Sequence, residues 1–220
     1  MWKTILNRLK QGRRTITFSK GKPPVLPVRY RGRPASQTSK VDLGKVTFVP
    51  DDGIQYGSDY QMAVSLRDDL KFDGCEKKLA RALDKEMLRI FGRSLKLRQV
   101  SAGGCNACEA DTNVLNTVVF DLGRFGIQFV ASPRHADGLL VTGPITRNMK
   151  EALLKTYEAM PSPKIVIAVG ACAVSGGIFS ESPQASHGLD TVLPVDLYVP
   201  GCPPHPLTIL DGLLRLLAKR

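Results

Sequence analysis

The sequence predicts an α/β fold built on an open, mostly parallel sheet with helices on both faces. Three observations carry this. Apolar runs of strand length recur at Leu97-Arg-Gln-Val, Gly126-Ile-Gln-Phe-Val, Gly138-Leu-Leu-Val-Thr-Gly, Lys164-Ile-Val-Ile-Ala-Val and Val195-Asp-Leu-Tyr-Val. Segments with helical spacing or capping residues separate most of them. The run after Lys164 is apolar throughout, as a strand covered on both faces must be. Strands alternating with helices make a parallel, flavodoxin-like sheet. An irregular basic N-terminal extension precedes it.

The elements follow in order. Residues 1–40 are basic and rich in Pro, Gly and Ser, as in Lys20-Gly-Lys-Pro-Pro and Arg31-Gly-Arg-Pro. They read as irregular, apart from a short amphipathic helix near Trp2 to Leu9. Residues 41–72 hold the apolar pieces Val46-Thr-Phe-Val and Tyr60-Gln-Met-Ala-Val, too short to form a core alone. Leu79, Leu83, Met87 and Ile90 or Phe91 share one face of a helix predicted over 75–92. The strand at Leu97 leads through Ser101-Ala-Gly-Gly-Cys-Asn-Ala-Cys to a helix capped by Asp111 and ending near Phe120. Thr146 caps a helix from Arg147 to Met160, which Pro161 ends. A last helix runs from Pro206 to Ala218. The expected division is a basic extension over 1–74 and one α/β domain over 75–220.

Composition narrows the function. A hydrophobic content of 43% and a charged content of 23% suit a soluble globular chain of 220 residues. No uncharged apolar run of about 18 residues occurs, so no transmembrane helix is expected. The start lacks a signal-peptide pattern, which points to the cytoplasm. The formal net charge is +11. All of it resides in residues 1–50, with twelve Lys or Arg against the single acid Asp42. Such an arm fits an anionic lipid surface, an acidic partner or a solvated tail. Aromatic interleaving is sparse (Trp2, Phe18, Tyr30), which argues against nucleic acid.

The five cysteines of a cytosolic chain suggest a metal or cluster rather than disulfides. Cys105 and Cys108 follow the strand ending near Val100, Cys172 follows Val169, and Cys202 follows Val199. Each lies just past the carboxyl end of a predicted parallel strand, the edge where open α/β sheets bind ligands. Four thiolates suit a [4Fe–4S] cluster or a structural zinc. Gly103, Gly104, Gly170, Gly176, Gly177 and Gly201 leave backbone amides free to approach a bulky inorganic core. Pro203 and Pro204 stiffen the last loop. Only one cysteine pair is close in sequence, unlike most zinc sites. A nucleophilic cysteine with His135 or His205 as base is a third reading. Cys75 lies far from this pattern and reads as a spare thiol rather than a fifth ligand.

Six stretches resemble a known family in order. They are Gly103-Gly-Cys-Asn-Ala-Cys-Glu, Arg124-Phe-Gly, Ala131-Ser-Pro-Arg-His-Ala-Asp, Val141-Thr-Gly-Pro-Ile-Thr-Arg-Asn-Met, Gly170-Ala-Cys-Ala-Val-Ser-Gly-Gly and Pro200-Gly-Cys-Pro-Pro. They are similar to the small subunits of membrane-bound, energy-converting [NiFe]-hydrogenases of the formate hydrogenlyase and hydrogenase-4 type. The cluster-bearing 20 kDa subunit of complex I belongs to the same superfamily. That subunit typically carries adjacent cysteines, whereas this chain has Cys105-Asn-Ala-Cys108, so the hydrogenase branch is the closer match.

The resemblance implies an electron-transfer subunit with one [4Fe–4S] cluster on Cys105, Cys108, Cys172 and Cys202, proximal to the active site of a large subunit. Nickel and iron would belong to that large subunit, and no catalytic residue is expected here. Glu109 is a candidate for hydrogen bonding or proton movement near the cluster, against a plain helix acid. Arg124 and Arg134 are candidates to pair with the large subunit, against plain surface arginines. Implied partners are the hydrogenase large subunit, a ferredoxin-type iron–sulfur subunit and membrane-arm subunits, at the cytoplasmic face of the membrane and without nucleic acid. The alternatives are a complex I-like quinone oxidoreductase subunit and a zinc-binding interaction module. A second resemblance, at Thr15-Ile-Thr-Phe, Pro27-Val-Arg-Tyr-Arg-Gly-Arg-Pro, Val41-Asp-Leu-Gly-Lys-Val-Thr-Phe-Val and Ser58-Asp-Tyr-Gln-Met-Ala-Val, is to a ferredoxin-type subunit. Residues 1–74 lack its cysteines and would be a cluster-free remnant used for docking.

Overall fold

The computed structural model describes residues 2–12, 14–16, 24–34, 41–44, 54–72 and 78–220. The apolar piece at Val46 and the thiol of Cys75 lie outside the described residues. Helix α1 spans Trp2–Gln11. A two-stranded antiparallel ribbon pairs β1, Val41–Asp42, with β2, Lys71–Phe72. Then follow α2 (Lys85–Phe91), β3 (Leu95–Ser101), α3 (Ala107–Val114), β4 (Ile127–Phe129), β5 (Gly138–Thr142) and α4 (Arg147–Glu158). The chain continues through β6 (Ile165–Val169), α5 (Ala171–Ser175), β7 (Leu197–Val199) and α6 (Pro206–Leu216).

Strands β3 to β7 form one parallel sheet in the order β4-β3-β5-β6-β7. Renumbered from its first strand, this is the 2-1-3-4-5 order of doubly wound folds, which bind ligands at the carboxyl edge where the order reverses. Alternation sets the two layers. Leu95, Leu97, Leu140, Ile165, Ile167, Val169, Leu197 and Val199 face a core completed by Phe91 of α2, Leu115 and most of α6. Val100, Leu139, Val141, Val166, Ala168 and Tyr198 face the other, completed by Leu153 of α4 and Ala173 and Val174 of α5. Successive strand residues point to opposite faces, so one apolar run serves both layers.

Two expected helices differ. The face of Leu79, Leu83 and Met87 predicted a helix over 75–92, but α2 begins only at Lys85, where the Asp84 carboxylate accepts from the Met87 amide at 2.8 Å. Upstream, Ala80 N–H donates to Ala63 O at 2.7 Å and Leu83 N–H to Leu216 O at 3.0 Å. Tertiary pairing takes the amides that a helix would need. Likewise Asp111 does not cap α3. The helix starts earlier, with Asn106 at its N-cap in the left-handed region (φ 71°), and stops at Val114. Cys108 therefore sits in the first turn of α3.

The described residues 60–70 pack against the sheet and α6. Val64 bridges Tyr198 of β7 through bonds of 3.0 and 2.8 Å, covering part of the sheet edge. Tyr60, Met62, Ala63 and Leu70 are buried. Every residue of α6 except Arg215 is buried, because the sheet covers one side and the segment around Ala63 another. A side chain at Gly212 would lie 2.7 Å from the Ala63 methyl.

Candidate functional site

The carboxyl ends of β3, β6 and β7 each feed a cysteine loop. Cys105 and Cys108 follow β3 through a loop whose backbone presses on the end of β5: a side chain at Gly143 would lie 2.6 Å from the Gly104 nitrogen. Cys172 occupies the first turn of α5, directly after β6. Cys202 follows β7. The last two loops are tied by Gly170 N–H donating to Val199 O and Ala171 N–H to Gly201 O, both at 2.8 Å. The Ser175 hydroxyl of α5 donates to Gly44 O, which anchors the β1 turn beside this helix.

All four thiols are free; Cys105 and Cys202 are exposed, Cys108 and Cys172 half-buried. Each of the four lies within electrostatic reach of the other three. Burial first, then these neighbours and Glu109, push the Cys172 thiol up to about 11 and Cys108 higher still. Burial, then Cys105, also raises Cys202. Uncompensated, Cys108, Cys172 and Cys202 hold their protons at neutral pH. A cationic metal centre supplies the charge that draws thiolates out. Among the described residues, no group of three or more His, Cys, Asp or Glu side chains is placed to hold a metal ion.

Gly170 bears no side chain, and the Cys108 sulfur takes the space beside its backbone. That backbone (φ 91°, ψ 154°) lies in a region that only glycine occupies freely. An added Cβ would stand 2.5 Å from Cys108 Sγ. Four soft thiol donors on glycine-lined loops fit an iron–sulfur cluster.

Glu109 is buried, at 7% exposure. Its Oε1 accepts from Thr142 Oγ1 at 2.6 Å, at the end of β5. Burial pushes its carboxyl up, but hydrogen bonds from Ser101 and Thr142 outweigh it and hold the pKa below the usual range. An anion is thus fixed beside Cys108. Reading the sequence missed both hydroxyl partners, which lie at neighbouring strand ends. His135 and Arg134 sit in the turn leading into β5, at the opposite edge of the sheet from the cysteines. Arg124 also lies away from the cysteine edge, donating to Ile16 O at 2.7 Å and covering the Phe125 ring.

His205 caps α6, its Nδ1 accepting from Leu207 N–H at 3.1 Å. Tyr30 meets the imidazole edge-on, with centroids 5.3 Å apart, and its hydroxyl lies 3.4 Å from Thr208 Oγ1. The N-terminal segment thereby reaches the cysteine edge, where Arg29, Tyr30, Arg31, Met62, Asp111 and Cys202 help line a cavity of about 320 Å3. Position in the sequence carried no sign of this contact.

Burial lowers the His205 pKa in the folded chain. The unfolded chain therefore takes up more protons as pH falls below its ordinary value of about 6.5, and stability is lost there while being complete above it. Protonation also removes the Nδ1 acceptor, a cap of about 1 kcal/mol. Urea denaturation is expected to show wild type weakening from about pH 7.5 to 5.5, and His205→Asn, which caps without titrating, weakening less. Equal pH slopes would refute this role.

Comparison with known proteins identifies the family. Residues 105–216 match the family described as NADH ubiquinone oxidoreductase, 20 Kd subunit. The chain is 45% identical over 144 residues to a Pyrococcus furiosus protein described as "Probable membrane-bound hydrogenase subunit mbhJ", covering 66% of this chain and 83% of that one. It is 44% identical over 131 residues to formate hydrogenlyase subunit 7 of Escherichia coli, 60% of this chain but only 51% of that relative. Among solved structures, a chain of the membrane-bound sulfane sulfur reductase, an archaeal respiratory membrane complex, aligns with TM-score 0.54 and 34% identity over 62% of this chain and 75% of that one. The profile begins at the first site cysteine and ends at the last residue of α6, and on that match the chain belongs to the NADH ubiquinone oxidoreductase 20 kDa subunit family.

Proposed function

We propose that this chain is the electron-transfer small subunit of a membrane-associated hydrogenase complex, holding one [4Fe–4S] cluster on Cys105, Cys108, Cys172 and Cys202, proximal to the large-subunit active site. The observation that carries the reading is the gathering of four free thiols from three strand ends at one sheet edge. The hydrogenase branch draws support from the likeness to the hydrogenase and formate hydrogenlyase subunits. When bound, such a cluster supplies one-electron transfer at a potential set by its charge, hydrogen bonds and exposure.

The chain's own residues define the rest. The thiolates hold the group, the glycine backbones admit it, and Glu109 keeps a negative charge next to Cys108. Cys105 and Cys202 are exposed on the side open to a partner, which we assign to the large subunit. A ferredoxin-type subunit and membrane-arm subunits complete the assembly. No helix among the described residues is long and apolar enough to cross a membrane. Association is therefore proposed as peripheral, on the cytoplasmic face.

The family match favours one second reading, a complex I-like quinone oxidoreductase. Metal analysis comes first. The anaerobically purified chain is expected to carry about four iron and about four acid-labile sulfide. Zinc without iron or sulfide would replace the electron-transfer reading with a zinc module. The purified complex is then expected to evolve or consume hydrogen. Quinone reduction without hydrogen turnover would move the chain to the complex I-like branch.

A further inference from the structure

Helix α1 lies wholly outside the region matching the family. Its apolar residues, Trp2, Ile5, Leu6 and Leu9, recur at the i, i+3, i+4, i+7 spacing of one helical face. None is buried: Trp2 is 75% exposed and Leu9 74%. The rest of the helix carries Lys3, Arg8 and Lys10 and no acid. Gly12 follows with φ 63°, the left-handed conformation that ends helices. A ten-residue helix is marginal in water by itself. Its stability therefore depends on whatever covers the apolar face.

Charge identifies the occupant. Eleven Lys or Arg precede the first acidic residue, Asp42. An apolar stripe flanked on both sides by basic residues, with an interfacial tryptophan, suits a bilayer surface, where acyl chains take the stripe and anionic headgroups take the cations. An acidic protein would match the charge but would need its own apolar groove. A nucleic acid would leave the stripe in water.

We infer that α1 is an interfacial anchor that lies in the surface of an anionic membrane, with Trp2, Ile5, Leu6 and Leu9 in the acyl boundary and Lys3, Arg8 and Lys10 at the headgroups. This rests on the peripheral association proposed above and names the element responsible.

The chain carries its own probe, because Trp2 is its sole tryptophan. The purified full chain is mixed with phosphatidylcholine vesicles, with and without phosphatidylglycerol. Trp2 emission is expected to shift to the blue and to become shielded from acrylamide with the anionic vesicles. Raising salt from about 0.15 M to about 1 M shortens the screening length from about 8 to about 3 Å and is expected to weaken binding. A double Lys3→Gln, Lys10→Gln variant is expected to bind at least about tenfold less tightly, since each basic residue near the surface contributes about fivefold. Leu6→Glu, on a face that buries nothing in the protein, is expected to abolish the blue shift while leaving the unfolding transition unchanged.

Unshifted Trp2 emission on anionic vesicles overturns the anchor. So does a shift seen with soluble polyglutamate but not with vesicles, which would assign the helix to an acidic protein. If the chain ignores vesicles while the assembled complex still pellets with membranes, the anchor fails and the peripheral association stands. A complex recovered wholly in the soluble fraction overturns the association itself.

Discussion

Cys172→Ser is expected to cost the chain most of its iron, and Gly170→Ala, which keeps every thiol, is expected to do the same. The first change removes a donor from the first turn of α5. The second acts through space and backbone. Gly170 lies at φ 91°, ψ 154°, and holding a residue with a side chain there costs about 1–3 kcal/mol, or about 5- to 150-fold in the population of the site. The new methyl carbon would also stand 2.5 Å from Cys108 Sγ, so that sulfur must leave its place. Because Gly170 bonds Val199 O and Ala171 bonds Gly201 O, the displacement passes to the Cys202 loop. Iron, acid-labile sulfide and total thiols measured on each variant separate the causes. Gly170→Ala should keep its thiol count and lose iron. Gly123→Ala is the control, since a side chain there meets nothing closer than the Asp121 carboxylate at 3.9 Å. Full iron in Gly170→Ala would remove that glycine from the cradle, and full iron in Cys172→Ser would remove Cys172 from the ligands.

The second large effect lies in α6. Asp211 is fully buried and pairs with Arg215 Nε and Arg220 Nη1, both at 2.8 Å. Arg220 also donates to the Tyr60 hydroxyl at 3.1 Å, tying the last residue to the segment that covers α6. Exchanging both arginines for methionine strands a carboxylate in the core. That is expected to lower stability by about 3–5 kcal/mol. Asp211→Asn is expected to cost less, because both guanidinium groups keep access to water, with about a fifth of each side chain exposed. Urea denaturation at neutral pH, read by circular dichroism, gives both values. A larger loss from Asp211→Asn than from the double arginine variant would mean that the carboxylate is not what the ion pairs protect.

Particular residues show where reading the chain alone succeeds. The strand at Ile165–Val169 was legible because five consecutive apolar residues, flanked by Lys164 and Gly170, leave no other economical burial. The positions of Cys105, Cys172 and Cys202 after strand ends were legible for the same reason. Residues 78–84 were misread, since Leu79, Leu83 and Met87 have helical spacing. Their amides nevertheless bond partners at Ala63 and Leu216, far away in the chain. The start of α3 was misplaced because Asn106 enters it through a left-handed backbone rather than through a side-chain cap.

By itself the sequence determined the class of fold, the strand-by-strand placement of the cysteines and the basic, amphipathic character of the N-terminus. Those depend on composition and on periods of two and 3.6, which are local. Only the tertiary structure decided that Glu109 is a buried anion held by Thr142, that Tyr30 leans on His205 beside Cys202, and that the segment around Ala63 completes the core over α6. Each of these joins residues more than thirty positions apart. Such pairings are selected by the packing of the whole chain, and no local pattern encodes them.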